Sequence, residues 1–429
     1  MRQFCAVMFL LVVLAAPGMA GAFTPKSYIK AALDASPEMR KAEQSLEQAK
    51  NIYLSAVLDA GLPSFTAGMN TSLYSDTETR WRLNKDRVNT SLAASLNLYD
   101  SVSSPLKKMK KAGQDYRYAE LSFLIAKQSE AVKALNRFYA LFAAQKRVGT
   151  AKINLASREK QYTDTNEQYQ SGTRSKIEVT QSEGDKLQSE LSLAQAQSAE
   201  SKALMSFNEL INAEPEAPQE VAVSTQSANV TLPFPKEDMA RALENNFSLR
   251  QRKIALERSR LDARTEAMSN YPQFRMDLSW RRDALGLPGA FGGGGADPGY
   301  GVTAALNFPF GFLGAQNYLG VKKQKMVLQS AELDLQVFVR SLKTSVLSAQ
   351  KDIELQTKSQ KLLEFQVKAQ KDAMENIQTE YAQGGASFIQ LDTAQTKLLD
   401  SSNSQINAIN DLDLALANYM TLLGEKIWE

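Results

Sequence analysis

The sequence contains no histidine, and its only cysteine is Cys5. Without histidine the chain has no histidine metal ligands, no Ser-His-Asp or Cys-His catalytic group and no general base of the usual kind near neutral pH. A Ser-Lys or carboxylate-pair enzyme is the alternative left open, but no spacing of charged residues indicates one. We therefore expect no enzymatic activity, no cofactor and no metal centre.

The chain also lacks a large excess of charge of one sign. Lysine and arginine total 50, against 47 aspartate and glutamate residues. Nucleic-acid-binding proteins usually gather a basic excess on one surface. The balance found here predicts that nucleic acid is not a partner.

Long apolar runs are scarce, and the one at the N-terminus has the pattern of a signal peptide. Arg2 precedes the apolar run Phe4–Ala16, and small residues at 20–22 fit a cleavage site before Phe23. A membrane anchor is disfavoured because the run is short and ends at Pro17. Since Cys5 lies within the predicted signal, the mature chain is expected to form no disulfide. No later stretch is long enough for a membrane-spanning helix, so a membrane-bound form would require a barrel.

Two stretches predict helices far longer than the ordinary length of about 11 residues. One runs from Ala315 to Tyr381 and returns from Ser387 to Gly424, and the other runs from 104 to 170 and returns from 176 to 212. Apolar residues alternate at spacings of four and three along the first arm, as they do in coiled coils. This seam consists of Leu335, Val339, Leu342, Val346, Ala349 and Ile353. Helices of this length need partners of equal length to bury such a seam.

The two long stretches belong to an internal repeat. Around the turns, Tyr169 and Gly172 correspond to Tyr381 and Gly384, and the residue numbers differ by 212 in both pairs. The same spacing relates Phe207 to Tyr419 near the end of each returning arm. The sequence therefore predicts a tandem duplication of about 210 residues.

Each repeat also contains two runs with the alternating pattern of a β-strand. In the first repeat apolar residues alternate with small or polar ones over 64–73 and 88–98, and in the second over 273–281 and 300–308. Each run is about ten residues long, which is the length of a strand that crosses a bilayer with lipid on one side and water on the other. A soluble hairpin with one buried face is the local alternative. The aromatic residues Tyr74, Tyr99, Tyr271, Trp280, Tyr300, Phe308 and Phe310 lie at the ends of the strands, where membrane barrels carry aromatic girdles.

Two hairpins are too few to close a barrel, which takes about eight strands or more. Because open sheet edges cannot be left in lipid, several copies of the chain would have to share one barrel. The same ring would supply neighbours for the long helices. The pattern predicts a mainly α-helical protomer with a membrane β-barrel part, continued by a long α-helical barrel.

The combined pattern resembles the TolC-like outer-membrane efflux proteins over 23–424. One motif that carries the resemblance is a strand end leading into the long helix, at 96–100 and again at 306–310. The other is the turn with its returning helix, Tyr169-x-x-Gly172 and Tyr381-x-x-Gly384, followed by 394–395 and 398–399. The resemblance implies a homotrimer with a twelve-stranded barrel in outer-membrane lipid and a helical tunnel across the periplasm. It further implies a periplasmic adaptor and an inner-membrane transporter as partners, in efflux or type I secretion.

The resemblance also implies where to look for function. The turns would form the periplasmic entrance, where the family often carries aspartates; the corresponding positions are Glu178 and Gln390, with Asp392 close by. An acidic ring there would attract cations, although ordinary solvated helix residues are an equally good interpretation. The residues expected at the adaptor contact are Gly172, Arg174, Lys176, Gly384 and Gly385.

The predicted organisation has five parts, and a periplasmic coiled-coil scaffold or adaptor without a barrel is the main alternative function. The parts are a signal peptide (1–22), a first repeat (23–213), a connector (214–235), a second repeat (236–424) and a C-terminal tail (425–429). Within the repeats the predicted β-hairpins span 64–99 and 272–309, and the long helical hairpins span 104–212 and 315–424.

Overall fold

The computed structural model describes residues 22–70, 73–75, 81–83, 89–100, 104–222, 235–268, 271–285, 299–308 and 315–429. Residues 1–21 of the predicted signal peptide lie outside the described residues. Most of the predicted connector and Phe310 also lie outside them.

The two halves of the described chain present their main elements in the same order. The first half comprises α1 (Pro25–Ala35), α2 (Pro37–Gly61), β1 (Ser64–Asn70), β2 (Leu73–Ser75), β3 (Trp81–Leu83), β4 (Asn89–Asp100), α3 (Pro105–Gln170) and α4 (Lys176–Leu210). The second half comprises α5 (Pro235–Asn245), α6 (Phe247–Met268), β5 (Gln273–Leu285), β6 (Gly299–Asn307), α7 (Ala315–Ala382) and α8 (Phe388–Leu423). The polar stretch 75–87 was predicted to lie between strands, but it includes β3 and the end of β2, which pair as a short antiparallel ribbon.

Side-chain caps set the beginnings of several helices. Thr24 and Ser36 cap α1 and α2, each of which has a proline in its first turn. Ser175 and Ser387 cap α4 and α8 through capping boxes. A capping side chain accepts a hydrogen bond from a backbone N–H that the helix itself leaves unpaired, which stabilises the helix start by about 1 kcal/mol. The returning helices therefore begin at defined residues.

The long helices pack in the antiparallel pairs α3–α4 and α7–α8, and α3 also packs on α8. The predicted seam of α7 is buried: Leu342, Val346 and Ile353 lie in one hydrophobic cluster with Leu412 of α8. The remaining seam residues Leu335, Val339 and Ala349 pack against the same cluster.

An aromatic core ties the start of the chain to the first helical pair. The ring of Tyr28 in α1 stacks on that of Phe207 in α4 with centroids 3.9 Å apart, and Phe138 of α3 packs beside them. The Tyr28 hydroxyl is buried and donates to the carbonyl oxygen of Phe207 at 2.9 Å. Burial raises the pKa of Tyr28 well above its ordinary value. The short helix α1 is thus anchored to the long pair by both apolar and polar contacts.

Strands from both halves form one antiparallel sheet in the order β1-β4-β5-β6. The central pair β4–β5 joins the two hairpins, with Leu96 opposite Leu278 and Asn97 opposite Asp277. Leu278 in turn faces Val302 of β6. Among the described strands, β1 and β6 each have one neighbour in this sheet, so both carry an open edge.

The register brings the predicted apolar residues of all four strands onto one face of the sheet. Large apolar side chains on this face are exposed, including Leu278 at 41% and Val302 at 62%. The opposite face is polar: the Asn97 amide donates to Asp277 at 3.1 Å, and Ser64 and Ser95 are hydrogen-bonded at 2.8 Å. The exposed apolar face consists of Phe65, Ala67, Leu92, Ala94, Leu96, Leu278, Trp280, Tyr300 and Val302, together with Arg282 at its far end.

None of the helices in the described part of the chain has the length and apolar character that a bilayer-spanning helix requires.

Candidate functional site at the helical turns

The turns that join α3 to α4 and α7 to α8 have the same backbone geometry. Gly172 and Gly384 both adopt a φ of 79°, in the left-handed region that suits glycine. The N–H of the next residue in each turn reaches back to the preceding helix, from Thr173 to the Gln168 carbonyl and from Gly385 to the Glu380 carbonyl, both at 2.8 Å. Glycine at this position ends a helix abruptly while satisfying its last carbonyl groups. The chain therefore reverses within a few residues at both turns.

Glu178 and Gln390, the predicted entrance residues, occupy the same position in the two capping boxes. The Glu178 carboxylate accepts from the Ser175 N–H at 3.0 Å, and the Gln390 side-chain oxygen accepts from the Ser387 N–H at 2.7 Å. Glu178 also pairs with Arg174 at 3.2 Å. These hydrogen bonds, chiefly the one from the Ser175 backbone, lower the pKa of Glu178. In this conformation both side chains stabilise helix starts.

Asp392, the third predicted entrance residue, belongs to a network of three charged residues that joins three helices. Its carboxylate lies 2.7 Å from the Arg158 guanidinium of α3, which also approaches Asp185 of α4 at 3.5 Å. The Arg158 side chain is only 8% exposed. Burial and the nearby Asp392 raise the pKa of Asp185, while Arg158 opposes that shift. We call Arg158, Asp185 and Asp392 the arginine bridge.

A second contact closer to the turns joins α3 to α7. The buried Tyr381 hydroxyl lies 3.2 Å from the Thr165 hydroxyl, which itself bonds to the Gln161 carbonyl at 2.7 Å. The Arg174 guanidinium of the first turn lies over the Tyr381 ring, 4.5 Å from its centroid. Tyr381 also packs with Leu391 of α8 in a small hydrophobic cluster. This tyrosine therefore contacts both helical pairs and one turn.

Sequence reasoning missed Arg158, Asp185 and Thr165, although a signal for two of them was present. The buried face of α3 continues from Val148 and Ala151 to Arg158, Gln161 and Thr165 at intervals of three, four or seven residues. The seam of α3 thus changes from apolar to polar towards the turn. A polar residue at a seam position fixes the pairing of coiled helices and lowers their stability.

The predicted adaptor-contact residues lie on the surface of the turns, with one exception. Gly172, Lys176, Gly384 and Gly385 are exposed, whereas Arg174 is half-buried between Glu178 and Tyr381. Beside them lie two isoleucines in equivalent places, Ile177 at 71% and Ile389 at 73% exposure. Each turn thus presents an exposed glycine and an exposed isoleucine together.

The described residues contain no group of three or more acidic or cysteine side chains placed to hold a metal ion.

Comparison with protein families gives a match for the second half of the chain. Residues 239–425 match the family model "Outer membrane efflux protein". None of the curated proteins matches the sequence.

Solved structures match nearly the whole chain. CusC is 14% identical, with a TM-score of 0.78 over 94% of this chain and 92% of its own. VceC from Vibrio cholerae, an outer membrane protein, is 16% identical, with a TM-score of 0.76 over 94% and 97%. The MtrE outer membrane channel of Neisseria gonorrhoeae, solved in an open state, is 18% identical, with a TM-score of 0.76 over 94% and 89%. At these identities the likeness establishes a shared fold. Together with the match of 239–425 to the outer membrane efflux protein model, it confirms the predicted resemblance to outer-membrane efflux proteins.

Proposed function

We propose that this chain is the outer-membrane exit duct of an efflux or type I secretion system, in which three copies form one channel. Substrates would pass from a pump and its periplasmic adaptor to the outside without any chemistry on the duct itself. The family match over 239–425 supports this class of function and disfavours the alternative of a periplasmic scaffold.

The observation that carries the proposal is the four-stranded sheet with two open edges and one exposed apolar face. One sheet cannot satisfy the backbone groups of its edge strands in lipid. In a ring of three copies, β1 of one copy would pair with β6 of the next, and twelve strands would close a barrel with polar residues inside. The exposed apolar face would then contact outer-membrane lipid.

The long helices support the same ring. α4 packs on α3 and α7 packs on α8, which leaves α4 and α7 at the two flanks of the four-helix set. Both flanks carry exposed apolar residues: Leu187 and Leu191 on α4 are 58% and 51% exposed, and Leu355 and Leu362 on α7 are 63% and 64% exposed. Apolar stripes of this kind indicate a helix partner. We assign α7 of one copy as the partner of α4 of the next, which would close a tunnel of twelve helices and fits a tandem duplication of the protomer.

The arginine bridge and the Tyr381–Thr165 contact would hold the entrance of the tunnel closed. Both contacts belong to the seam of α3, which is polar at the end of the long helices where the turns lie. Because a polar seam is less stable than an apolar one, this end can separate while the rest of the tunnel stays closed. On opening, Asp185 and Asp392 would lose their shared cation and become able to attract cations into the channel. Glu178 would remain engaged in its cap.

The turns themselves would form the docking surface for the adaptor. Their exposed glycines allow a close approach of backbones, and Ile177 and Ile389 supply apolar anchors that are otherwise costly to expose. Repetition of the same surface at two turns in each of three copies would give six related positions around the entrance.

The test is the native mass of the protein extracted from cell envelopes with mild detergent and its position in a membrane density gradient. The proposal predicts an outer-membrane species at about three times the chain mass of 47.4 kDa, less the signal peptide. A monomer released by osmotic shock without detergent would instead support the scaffold.

A further inference from the structure

A groove along α8, between α3 and α7, holds two cavities that the channel proposal does not use. The cavity farther from the turns has a volume of about 450 Å³ and the nearer one about 280 Å³. They share the lining residues Ser157, Gln378 and Gln395, so the two form one continuous groove. Their combined size is that of a pocket for a small organic molecule.

The two ends of the groove differ in chemistry. The larger cavity is mainly apolar, and its apolar lining comprises Ile153, Val367, Met374, Leu398 and Leu399. The smaller cavity is lined mainly by polar residues, among them Lys160, Gln161, Asp164, Glu167 and Tyr381. An occupant that fits both ends therefore has an apolar body and a polar head.

Two buried amide groups in the polar end have an unpaired atom. Gln161 and Gln395 are each 4% exposed. The Gln161 oxygen accepts from Arg158 at 3.3 Å, which leaves its NH₂ group without a partner. The Gln395 NH₂ group lies 3.1 Å from the Ser157 hydroxyl, and its oxygen has no partner. Both atoms are covered by their neighbours. A buried polar atom without a partner costs about 1–3 kcal/mol, so a ligand that turns the two amides towards the groove and pairs both atoms recovers that energy.

These two atoms specify the head group. The NH₂ of Gln161 needs an acceptor and the oxygen of Gln395 needs a donor, which a primary carboxamide supplies together. A carboxylate offers acceptors alone, and it would meet two carboxylates, Asp164 and Glu167, against one amine, Lys160, in the same lining. We propose that the groove binds an uncharged amphiphile whose head resembles a carboxamide and whose body is a short hydrocarbon chain.

The groove stays accessible in the ring described above. Neighbouring copies would meet at α4 and α7, whereas the groove lies over α8 in the middle of the helix set. Its polar end includes Tyr381 and lies beside the arginine bridge, since Gln161 contacts Arg158. A bound molecule would therefore lie against the contacts that join α3 to α7 and α8.

The experiment measures binding of octanamide to the full-length protein in lipid nanodiscs. A photoreactive octanamide with a diazirine on its alkyl chain labels the protein, and peptide mapping locates the label, with plain octanamide as competitor. The expected result is saturable labelling within 150–161, 367–378 or 395–402. Octanoate should compete at least tenfold less well, because its head lacks a donor and is repelled.

Variants distinguish octanamide binding in the groove from unspecific partitioning of octanamide into the lipid. Gln395→Leu and Gln161→Leu should each weaken octanamide binding about fivefold, the effect of losing one hydrogen bond. Gln188→Leu, an exposed amide on α4, should leave binding unchanged. Labelling that does not saturate, equal affinity for octanoate, or equal labelling in all variants would overturn the inference. The assay does not measure trimerisation or conductance, so its failure would leave the channel proposal intact.

Discussion

Tyr381 and Thr165 lie on different long helices, and their hydroxyl oxygens are 3.2 Å apart in a buried position near both turns. Thr165 donates its own proton to the Gln161 carbonyl, so Tyr381 acts as the donor between the two. A hydrogen bond of this kind contributes about 1 kcal/mol, which holds helices together without fixing them permanently. The arginine bridge lies further from the turns and joins α3 to α4 and α8, so the two contacts are successive closures at one end of the proposed tunnel.

Removal of the Arg158 guanidinium from the arginine bridge is expected to open the end of the proposed tunnel at which the helical turns lie. Arg158→Met keeps much of the side-chain volume but leaves Asp185 and Asp392 facing each other without a partner. Because both carboxylates are partly exposed, water screens them, and we expect a cost of roughly 1–3 kcal/mol. The variant should show a higher conductance in planar bilayers and faster hydrogen exchange over 178–185 and 388–392.

The control for this variant is Arg137→Met, which removes an arginine of α3 that pairs with Glu209 of α4 far from the turns. It should leave the conductance unchanged. Equal conductance in the wild type and the Arg158 variant would show that the arginine bridge does not close the channel.

The first turn is expected to weaken in acid because of Glu178. Its pKa is lowered in the folded protein, so its carboxylate stabilises the start of α4 at any pH above the unfolded value of about 4.5. That stabilisation is lost as the pH falls through the lowered pKa of the folded state. Hydrogen exchange of 176–182 should therefore rise below about pH 4.5, relative to exchange of 388–394 at the second turn.

The second turn is a natural control for this effect. Gln390 occupies the position of Glu178 and makes the same capping contact without a titrating group. Glu178→Gln should accordingly remove the difference in acid sensitivity between the turns. If the variant keeps the full acid response, another group at the first turn is responsible.

Periodicity alone predicted the long helices, the buried seam of α7 and the alternation of the strands, because each depends on side-chain spacing within one element. The arginine bridge depends on which three helices meet, and no spacing within one helix contains that information. The same is true of the β4–β5 pairing, which brings Asn97 to Asp277 across 180 residues. The polar end of the α3 seam was visible in the sequence, since Arg158, Gln161 and Thr165 continue its spacing, but only the fold identifies their partners.

A charge on the apolar face of the sheet should reduce assembly far more than a charge on the polar face. Leu278 lies in the middle of β5 between Leu96 and Val302, so Leu278→Arg would place a charge towards the lipid core. The expected cost is about 2–4 kcal/mol near the bilayer midplane. Leu92→Arg is a less decisive variant, because Leu92 lies opposite Arg282 towards the end of the sheet. The yield of folded trimer in outer-membrane fractions measures the effect.

The matched variant on the other face is Ser279→Arg, next to Leu278 in β5, which the proposed barrel would turn towards its interior. Its trimer yield should stay close to that of the wild type. Equal loss in both variants would mean that the two faces of the sheet do not separate lipid from water.

Replacement of three glycines by alanine should change the stability of the protein by different amounts, which depend on the backbone conformation and the free space at each position. Gly149 lies within α3 with open space around it, so Gly149→Ala should stabilise the protein by about 0.5–1 kcal/mol. Gly172 has open space but a φ of 79°, so alanine there should cost about 1 kcal/mol through backbone strain alone.

Gly424, which ends α8, should be the most sensitive of the three. Its φ is 78°, and an added methyl group would collide with the backbone of Asn245 and Asn246 at the junction of α5 and α6. Those backbone atoms cannot move freely, because the Asn246 side chain donates to the Leu422 carbonyl at 3.0 Å and accepts from the Leu249 N–H at 2.9 Å. Gly424→Ala should therefore lower the thermal unfolding midpoint more than Gly172→Ala does. The reverse order would show that the packing of α8 on the α5–α6 junction is loose enough to absorb a methyl group.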